Sequence, residues 1–114
     1  MDIKDVTAEL AKHPEETFLN LVGFNSHNVG ACSVTGESPV WEMHPDTDEL
    51  FFILEGRFEI TLWHEGVESH HVAPQGSVFV VPRGIWHKPA APDGAKFMYL
   101  TPGESLHCED PATV

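Results

Sequence analysis

Hydrophobic and polar residues alternate in short stretches along most of this chain. In residues 58–62, Phe, Ile and Leu alternate with Glu and Thr, which is typical of a strand buried on one face. After Phe18, turn signals rich in Gly and Pro recur roughly every eight to twelve residues. Because no helix-length segment lies between these strands, the pattern predicts an all-β sandwich or barrel and argues against a parallel α/β sheet.

A helical spacing occurs near the N-terminus. Ile3, Val6 and Leu10 recur at intervals of three and four, and Pro14 ends the pattern, so a short helix is predicted over residues 2–12. The last eight residues follow neither period and are expected to form a loosely held tail. The prediction therefore has three parts: an N-terminal helical segment (1–17), a β domain (18–106) and a tail (107–114).

Two of the predicted strands are apolar on both faces, namely residues 50–54 and 78–81. One face of each can fill the interior, but the other must also be covered. The N-terminal segment can cover part of it, and a second copy of the chain is the better cover for the rest. The sequence therefore predicts a homodimer.

Composition and charge narrow the partners. Six Lys and Arg residues stand against eighteen Asp and Glu residues, a formal net charge of −12. Such an acidic surface, with no basic cluster, argues against nucleic acid and anionic membranes. The longest apolar runs are too short to span a bilayer, and residues 1–16 do not resemble a signal peptide, so a cytoplasmic location is expected. Cys32 and Cys108 lie far apart and are expected to be free thiols.

Four polar residues are candidates for a metal site. Glu42 and His44 are two positions apart on a predicted strand, so their side chains leave from the same face. A polar turn at residues 45–48 follows, and Glu49 opens the next strand; a hairpin is expected to return Glu49 beside them. His87 begins a later strand after a glycine-containing turn.

Imidazole nitrogen and carboxylate oxygen that converge on one point suit a divalent cation and leave two or three positions for water or substrate. Purely structural packing would not place these groups inside, since an unpaired buried charge is costly. The other histidines considered are interpreted as solvated surface residues: His64, His70, His71 and His107.

Two segments that contain these residues resemble the two sequence motifs of the cupin superfamily. The first motif falls on Gly36, Glu42, His44, Glu49 and Gly56, and the second on Gly76, Pro82, Gly84 and His87. The resemblance spans roughly residues 28–102. It implies a small jelly-roll barrel, the double-stranded β-helix, which is usually dimeric. It also implies a metal ion bound by the motif residues Glu42, His44, Glu49 and His87.

Two positions depart from the family pattern. Ala91 replaces the usual Asn that ends the second motif, and Glu42 replaces the usual first His. A set of two histidines and two carboxylates favours Mn²⁺ or Fe²⁺, with Zn²⁺ or Ni²⁺ as further candidates. Alternatively, Glu42 leaves the metal to pair with a basic group or to bind a polar ligand, or to act as a general base. His44, Glu49 and His87 would then remain as a facial triad.

Two functions follow as hypotheses. The first is a metal-dependent enzyme, an isomerase, lyase or dioxygenase, acting on a small oxygen-rich molecule with Glu42 as a catalytic residue. The alternative is a non-catalytic barrel that binds or senses a small ligand with a degenerate metal site. Arg83 and Lys88 are candidates for steering an anionic substrate, or else for surface ion pairs.

Overall fold

The computed structural model describes residues 1–101 and 104–114, which form one short helix and a curled antiparallel sheet. The helix α1 spans Val6–Ala11, and a 3₁₀ turn spans Pro111–Thr113. The described strands are β1 (Leu19–Phe24), β2 (His27–Glu37), β3 (Trp41–Met43), β4 (Glu49–Gly56), β5 (Phe58–His64), β6 (Val67–Ala73), β7 (Val78–Val81), β8 (Trp86–Leu100) and β9 (Leu106–Cys108). The predicted all-β class is therefore confirmed.

The long strand β8 organises the barrel because it pairs with four other strands. Its first part, residues 86–90, pairs with β5, and within it His87 also pairs with β3. Its second part, residues 95–100, pairs with β2 on one side and β4 on the other. A single strand shared in this way curls the sheet into the jelly-roll form that the motifs predicted.

Aromatic side chains fill the interior. Phe51, Phe58 and Phe97 lie within 5.1–5.7 Å of one another, measured between ring centroids, and all three are buried. Phe79 stacks on Phe51 at 5.0 Å. Phe51 and Ile53 point inward from β4, whereas Leu50 and Phe52 point outward, as strand parity requires.

The N-terminal helix is shorter than the prediction over residues 2–12. The side chain of Asp5 accepts a hydrogen bond from the backbone N–H of Ala8, at 3.0 Å, and so caps the helix immediately before Val6. Leu10 is its buried residue. No helix in the described part of the chain is long and apolar enough to span a membrane.

The C-terminal residues differ from the predicted tail. Residues 106–108 form β9, which pairs with β3 over three residues. The carboxylate of Asp110 then caps the 3₁₀ turn by accepting from the N–H of Ala112, and Pro111 is buried. The backbone pairing with β3 orders this end of the chain, although its sequence follows no hydrophobic period.

An apolar surface lies on the outside of β4, β7 and β8, and we call it the outer apolar face. Leu50 pairs with both Val80 and Leu100, and Phe52 pairs with both Val78 and Met98. Of these residues, Leu50 and Phe52 on β4 and Val78 and Val80 on β7 have side chains that are 37–60% exposed. The outer apolar face is therefore defined by Leu50, Phe52, Val78, Val80, Met98 and Leu100.

Candidate metal centre

Three strands bring the four predicted ligands together. Glu42 on β3 is the cross-strand partner of His87 on β8. His44 follows β3 directly, and Glu49 is the first residue of β4. One donor atom from each of the four side chains lies within 4.8 Å of the other three, so the structure assembles the set that the motif spacing predicted.

The hairpin expected to unite these residues is not what joins them. β3 pairs with β8 and β9, whereas β4 pairs with β7 and β8. Glu49 therefore reaches the site across the interior of the barrel. The residues between Met43 and Glu49 serve as a connection between the two sides of the barrel.

The four donor atoms form a compact ring. Nε2 of His44 lies 3.2 Å from Oε1 of Glu42 and 3.2 Å from Oε1 of Glu49. Nε2 of His87 lies 3.3 Å and 3.1 Å from the same two oxygens. Three of the four side chains are buried, and that of Glu42 is 32% exposed.

The opposite nitrogen of each histidine faces a backbone carbonyl. Nδ1 of His44 lies 3.2 Å from the carbonyl oxygen of Glu104, and Nδ1 of His87 lies 3.4 Å from that of Ile85. Because a carbonyl can only accept, Nδ1 carries the proton in each case. In a neutral ring the lone pair is then on Nε2, which faces the centre of the cluster, as a metal ligand requires.

Each carboxylate is also held by a neighbour. The hydroxyl of Thr101 donates a short hydrogen bond to Oε2 of Glu49. Oε2 of Glu42 accepts from Nε2 of His107 at 3.0 Å. Each glutamate therefore turns one oxygen to a second protein group and the other to the two histidines.

Without a metal, the cluster is held by opposite charges. Burial by itself lowers the pKa of His44, but its contacts with Glu42 and Glu49 outweigh burial and raise the pKa to about 10. The same balance raises the pKa of His87 to about 9. Burial raises the pKa of both glutamates, yet the two histidines outweigh it and hold those pKa values well below their usual range.

The geometry fits a single divalent ion. Neighbouring donors about 2.1 Å from a common ion lie about 3.0–3.4 Å apart, and the four nitrogen-to-oxygen separations of 3.1–3.3 Å fall in that interval. Nε2 of His87 is fully buried and has no hydrogen-bond partner, because its contacts with the carboxylates are close but poorly aligned. A bound cation would satisfy this nitrogen.

A cavity of about 490 Å³ opens onto the cluster. Aromatic and aliphatic side chains form its walls, among them Phe18, Val34, Phe97 and Tyr99. This volume is in the range of small-molecule sites in proteins. An organic ligand in the cavity could therefore reach the cluster of donor atoms.

Of the four histidines interpreted from the sequence as solvated surface residues, three lie away from the cavity. His64, His70 and His71 are exposed on β5 and β6, as expected. His107, interpreted from the sequence as a solvated residue of the tail, instead lines the cavity and bonds Glu42. His107 lies outside both sequence motifs, so the sequence carries no signal that it contacts Glu42.

The two basic residues considered for substrate steering form ion pairs. Arg83 lies 3.7 Å from Asp48, and Lys88 lies 3.1 Å from Glu37. Neither of them lines the cavity. This arrangement corresponds to the surface ion pairs that the sequence left as the alternative.

A scan of protein-family models finds that residues 32–103 match the model described as Cupin_2, the cupin domain. A search of curated proteins finds no match.

Solved structures give further matches. A cupin-2 domain-containing protein from Shewanella frigidimarina is 26% identical with a TM-score of 0.78, and the match covers 88% of this chain and 94% of that one. Hydroquinone 1,2-dioxygenase from Sphingomonas sp. TTNP3, with 4-hydroxybenzoate bound, is 13% identical with a TM-score of 0.71, covering 88% and 74%. Hydroxypropylphosphonic acid epoxidase from S. wedmorenis, in complex with fosfomycin, is 18% identical with a TM-score of 0.62, covering 74% and 49%.

Proposed function

The chain belongs to the cupin family, and from this premise we propose that it is a metal-dependent enzyme acting on a small oxygen-rich organic molecule. The observation that carries the proposal is the cluster of Glu42, His44, Glu49 and His87 at the base of a cavity large enough for such a molecule. A fold shared by many reactions does not by itself choose a chemistry, so the argument rests on this site.

A divalent ion held by these four residues would supply Lewis acidity to adjacent oxygens of a substrate, and iron would add redox chemistry. The carbonyl contacts at Nδ1 keep His44 and His87 in the tautomer that presents Nε2. Thr101 holds Glu49, which is almost fully buried. The apolar walls exclude water and so strengthen the electrostatic interactions inside the cavity.

Glu42 differs from the other three residues and has two candidate roles. Its Oε1 faces both histidines, as a ligand would, but its side chain is the most exposed of the four. As a ligand it completes a set of two histidines and two carboxylates. As a general base it would take a proton from the bound substrate, leaving His44, Glu49 and His87 to hold the ion.

The donor set favours Mn²⁺ or Fe²⁺, with Zn²⁺ or Ni²⁺ as further candidates, because carboxylate oxygens are hard ligands that prefer harder ions. Among isomerase, lyase and dioxygenase reactions, we favour the dioxygenase. Two structurally similar proteins are named a dioxygenase and an epoxidase, although their low identities support only the fold.

Elemental analysis of tag-free protein tests the proposal. Near-stoichiometric Mn or Fe is expected in the wild type and is expected to disappear in the double variant His44→Ala/His87→Ala. Glu42→Gln tests the role of that residue as a ligand: loss of metal identifies a ligand, whereas retained metal with lost turnover is the result expected of a general base. A double variant of surface histidines, His70→Ala/His71→Ala, controls for adventitious binding. Wild-type protein that takes up no metal on reconstitution would refute the metalloenzyme.

The second candidate is a barrel that binds or senses a small ligand without turning it over. The presence of Glu42 where the family usually has His favours this alternative. Such a protein would bind its ligand with no product formed and would tolerate a chelator. An enzyme would lose its activity when the metal is removed.

We propose further that the chain forms a homodimer through the outer apolar face. Leu50, Phe52, Val78 and Val80 are 37–60% exposed and adjoin one another on paired strands. A contiguous apolar surface of this kind is typical of an interface between proteins.

The free thiols of Cys32 and Cys108 support a reducing, cytoplasmic location.

A further inference from the structure

The charged side chains around the cavity are acidic, which does not suit the binding of an anion. Glu16 and Glu37 line it, and Glu42 and Glu49 lie beside the histidines. Among the described residues that line it there is no Lys or Arg. All six basic residues are held by acidic partners instead, in the pairs Lys4–Asp2, Lys12–Glu9, Arg57–Glu59, Arg83–Asp48, Lys88–Glu37 and Lys96–Glu55.

The hydroxyl groups that line the cavity already have partners within the protein. An anion buried in a protein needs hydrogen-bond donors, and a donor already engaged must first break its own bond. Thr35 donates to Glu15, Ser38 to the carbonyl of Val40, Tyr99 to the carbonyl of Leu19, and Thr101 to Glu49. The oxygen of Ser105 lies 3.2 Å from the protonated Nδ1 of His44 and accepts from it, so its own O–H stays available.

The proposed metal centre would add no net positive charge. The carboxylates of Glu42 and Glu49 balance the two charges of a divalent ion when both histidines are neutral. Nε2 of His107, the remaining donor beside the cluster, is engaged by Glu42 at 3.0 Å. A carboxylate or phosphate group in the body of a ligand would therefore find no countercharge among the described lining residues, and only the hydroxyl of Ser105 would be free to donate to it.

An apolar path leads from the mouth of the cavity to the cluster. The ring of Phe18, which is 65% exposed, contacts that of Tyr99 edge-on at 5.8 Å, and Phe97 follows at 6.1 Å. Phe51 continues the path and meets the ring of His87 at 6.2 Å. Such a wall suits a flat or aliphatic body, and aromatic faces beside glutamates also attract cations.

On the basis of the proposed metal centre, we infer that the cavity selects molecules that are uncharged or cationic away from their chelating oxygens. Carboxylates and phosphates are disfavoured as substituents. Glu16 at the lining supplies the selectivity through repulsion of anions, with a smaller contribution from Glu37 because Lys88 pairs with it. The aromatic path supplies affinity for the apolar body. This inference deepens the proposed function by naming its class of substrate.

Three catechols whose substituent at one ring position is neutral, cationic or anionic test the inference: 4-methylcatechol, 3,4-dihydroxybenzylamine and 3,4-dihydroxybenzoate. Their dissociation constants are measured by absorption of the cobalt(II)-loaded protein, without oxygen and at low salt. The benzylamine is expected to bind at least as tightly as methylcatechol, and the benzoate at least about fivefold more weakly. Added salt should reduce the difference between these dissociation constants, because it screens the charges.

Paired variants locate the source of the preference. Glu16→Gln/Glu37→Gln should remove most of it, since it deletes two charges of the lining and frees the ammonium of Lys88. Glu65→Gln/Glu68→Gln changes the net charge equally, on the exposed hairpin between β5 and β6, and should leave the preference intact.

Two adverse outcomes are distinguishable. A chain that takes up no cobalt refutes the metal centre and the inference together. A cobalt-loaded chain that binds the benzoate as tightly as methylcatechol, or that responds equally to the two paired variants, overturns the charge selection alone and leaves the metal centre standing.

Discussion

His107 donates a hydrogen bond from Nε2 to Oε2 of Glu42 across 3.0 Å, and the two residues are direct cross-strand partners on β9 and β3. The other oxygen of Glu42 lies 3.2 Å from Nε2 of His44 and 3.3 Å from that of His87. The carboxylate is thus held from behind by a strand near the C-terminus while it faces the cluster. His107 is therefore a positioning residue for Glu42.

Substitution of His107 is expected to weaken metal binding without removing a ligand. Loss of a hydrogen-bond partner of a ligand typically costs about 10- to 100-fold in metal affinity. His107→Ala should show a loss in this range in a cobalt(II) titration, and His107→Gln, which keeps an N–H donor, should recover part of it. His64→Ala, at the exposed end of β5, is the matched control. Unchanged affinity in His107→Ala would show that Glu42 needs no such support.

Metal uptake near neutral pH is expected to release protons. The pKa values of His44 and His87, raised to about 10 and about 9 by Glu42 and Glu49, leave both rings protonated in the metal-free protein at pH 7. A metal ion needs the neutral rings, so about two protons should leave for each ion bound. Calorimetry in buffers of different ionisation enthalpy counts them. Affinity should also rise with pH until both rings are neutral without metal, and uptake with no proton release would contradict the ion-paired cluster.

The stability of the metal-free protein should fall as pH rises above neutral. The pKa values of His44 and His87 are raised from 6.5, so their contribution is full below pH 6.5 and is lost as pH rises toward 9 to 10. Those of Glu42 and Glu49 are lowered from 4.5, so their contribution is lost as pH falls below 4.5. Maximum stability is expected between these limits.

Urea unfolding in the presence of a chelator measures this dependence. Between about pH 5.5 and about pH 9, a loss of about 6 kcal/mol in the free energy of unfolding is expected from the two histidines. Protein saturated with metal is the control, and its stability should not fall in the same way because the metal then replaces the protons. Metal-free stability that increases over this interval would contradict the assigned charges.

Much of the site was predictable because its determinants are local. Strand parity places Glu42 and His44 on one face, and turn residues place Glu49 and His87 at the start of strands. The convergence itself depends on β8, which is shared by both sides of the barrel, and the hairpin inferred from the sequence was wrong about this connection.

The role of His107 was not predictable from the hydrophobic pattern. β9 has three residues, too few to show a period of two, and its partner Glu42 is 65 positions earlier in the chain. Backbone pairing with β3, which no local pattern encodes, puts His107 beside the carboxylate. For the same reason the sequence pattern of the C-terminal residues predicts only a tail.

A charge on the outer apolar face is expected to separate the proposed dimer. Phe52 is 37% exposed and lies beside Val78 and Met98, so a glutamate there would be buried without a partner in the interface. Wild-type protein should have twice the chain mass of 12.6 kDa by light scattering, and Phe52→Glu should have the monomer mass. Val72→Glu, exposed on β6 away from this face, should remain dimeric. A wild type of monomer mass would refute the dimer.

The absence of a side chain at Gly30 is expected to leave room for the ring of Tyr99 in the cavity wall, away from the metal ligands. It pairs with Tyr99, and a Cβ there would lie 2.5 Å from the Tyr99 ring and closer still to the carbonyl oxygen of Leu19. Gly30→Ala should therefore displace the ring, break its hydrogen bond to Leu19 and weaken binding of 4-methylcatechol by cobalt-loaded protein, while cobalt affinity is retained. Gly23→Ala, whose Cβ would meet its nearest neighbour at 3.7 Å, is the matched control. Because the wall and the ligands lie on different residues, a parallel loss of cobalt and catechol affinity in Gly30→Ala would indicate that the two are not independent.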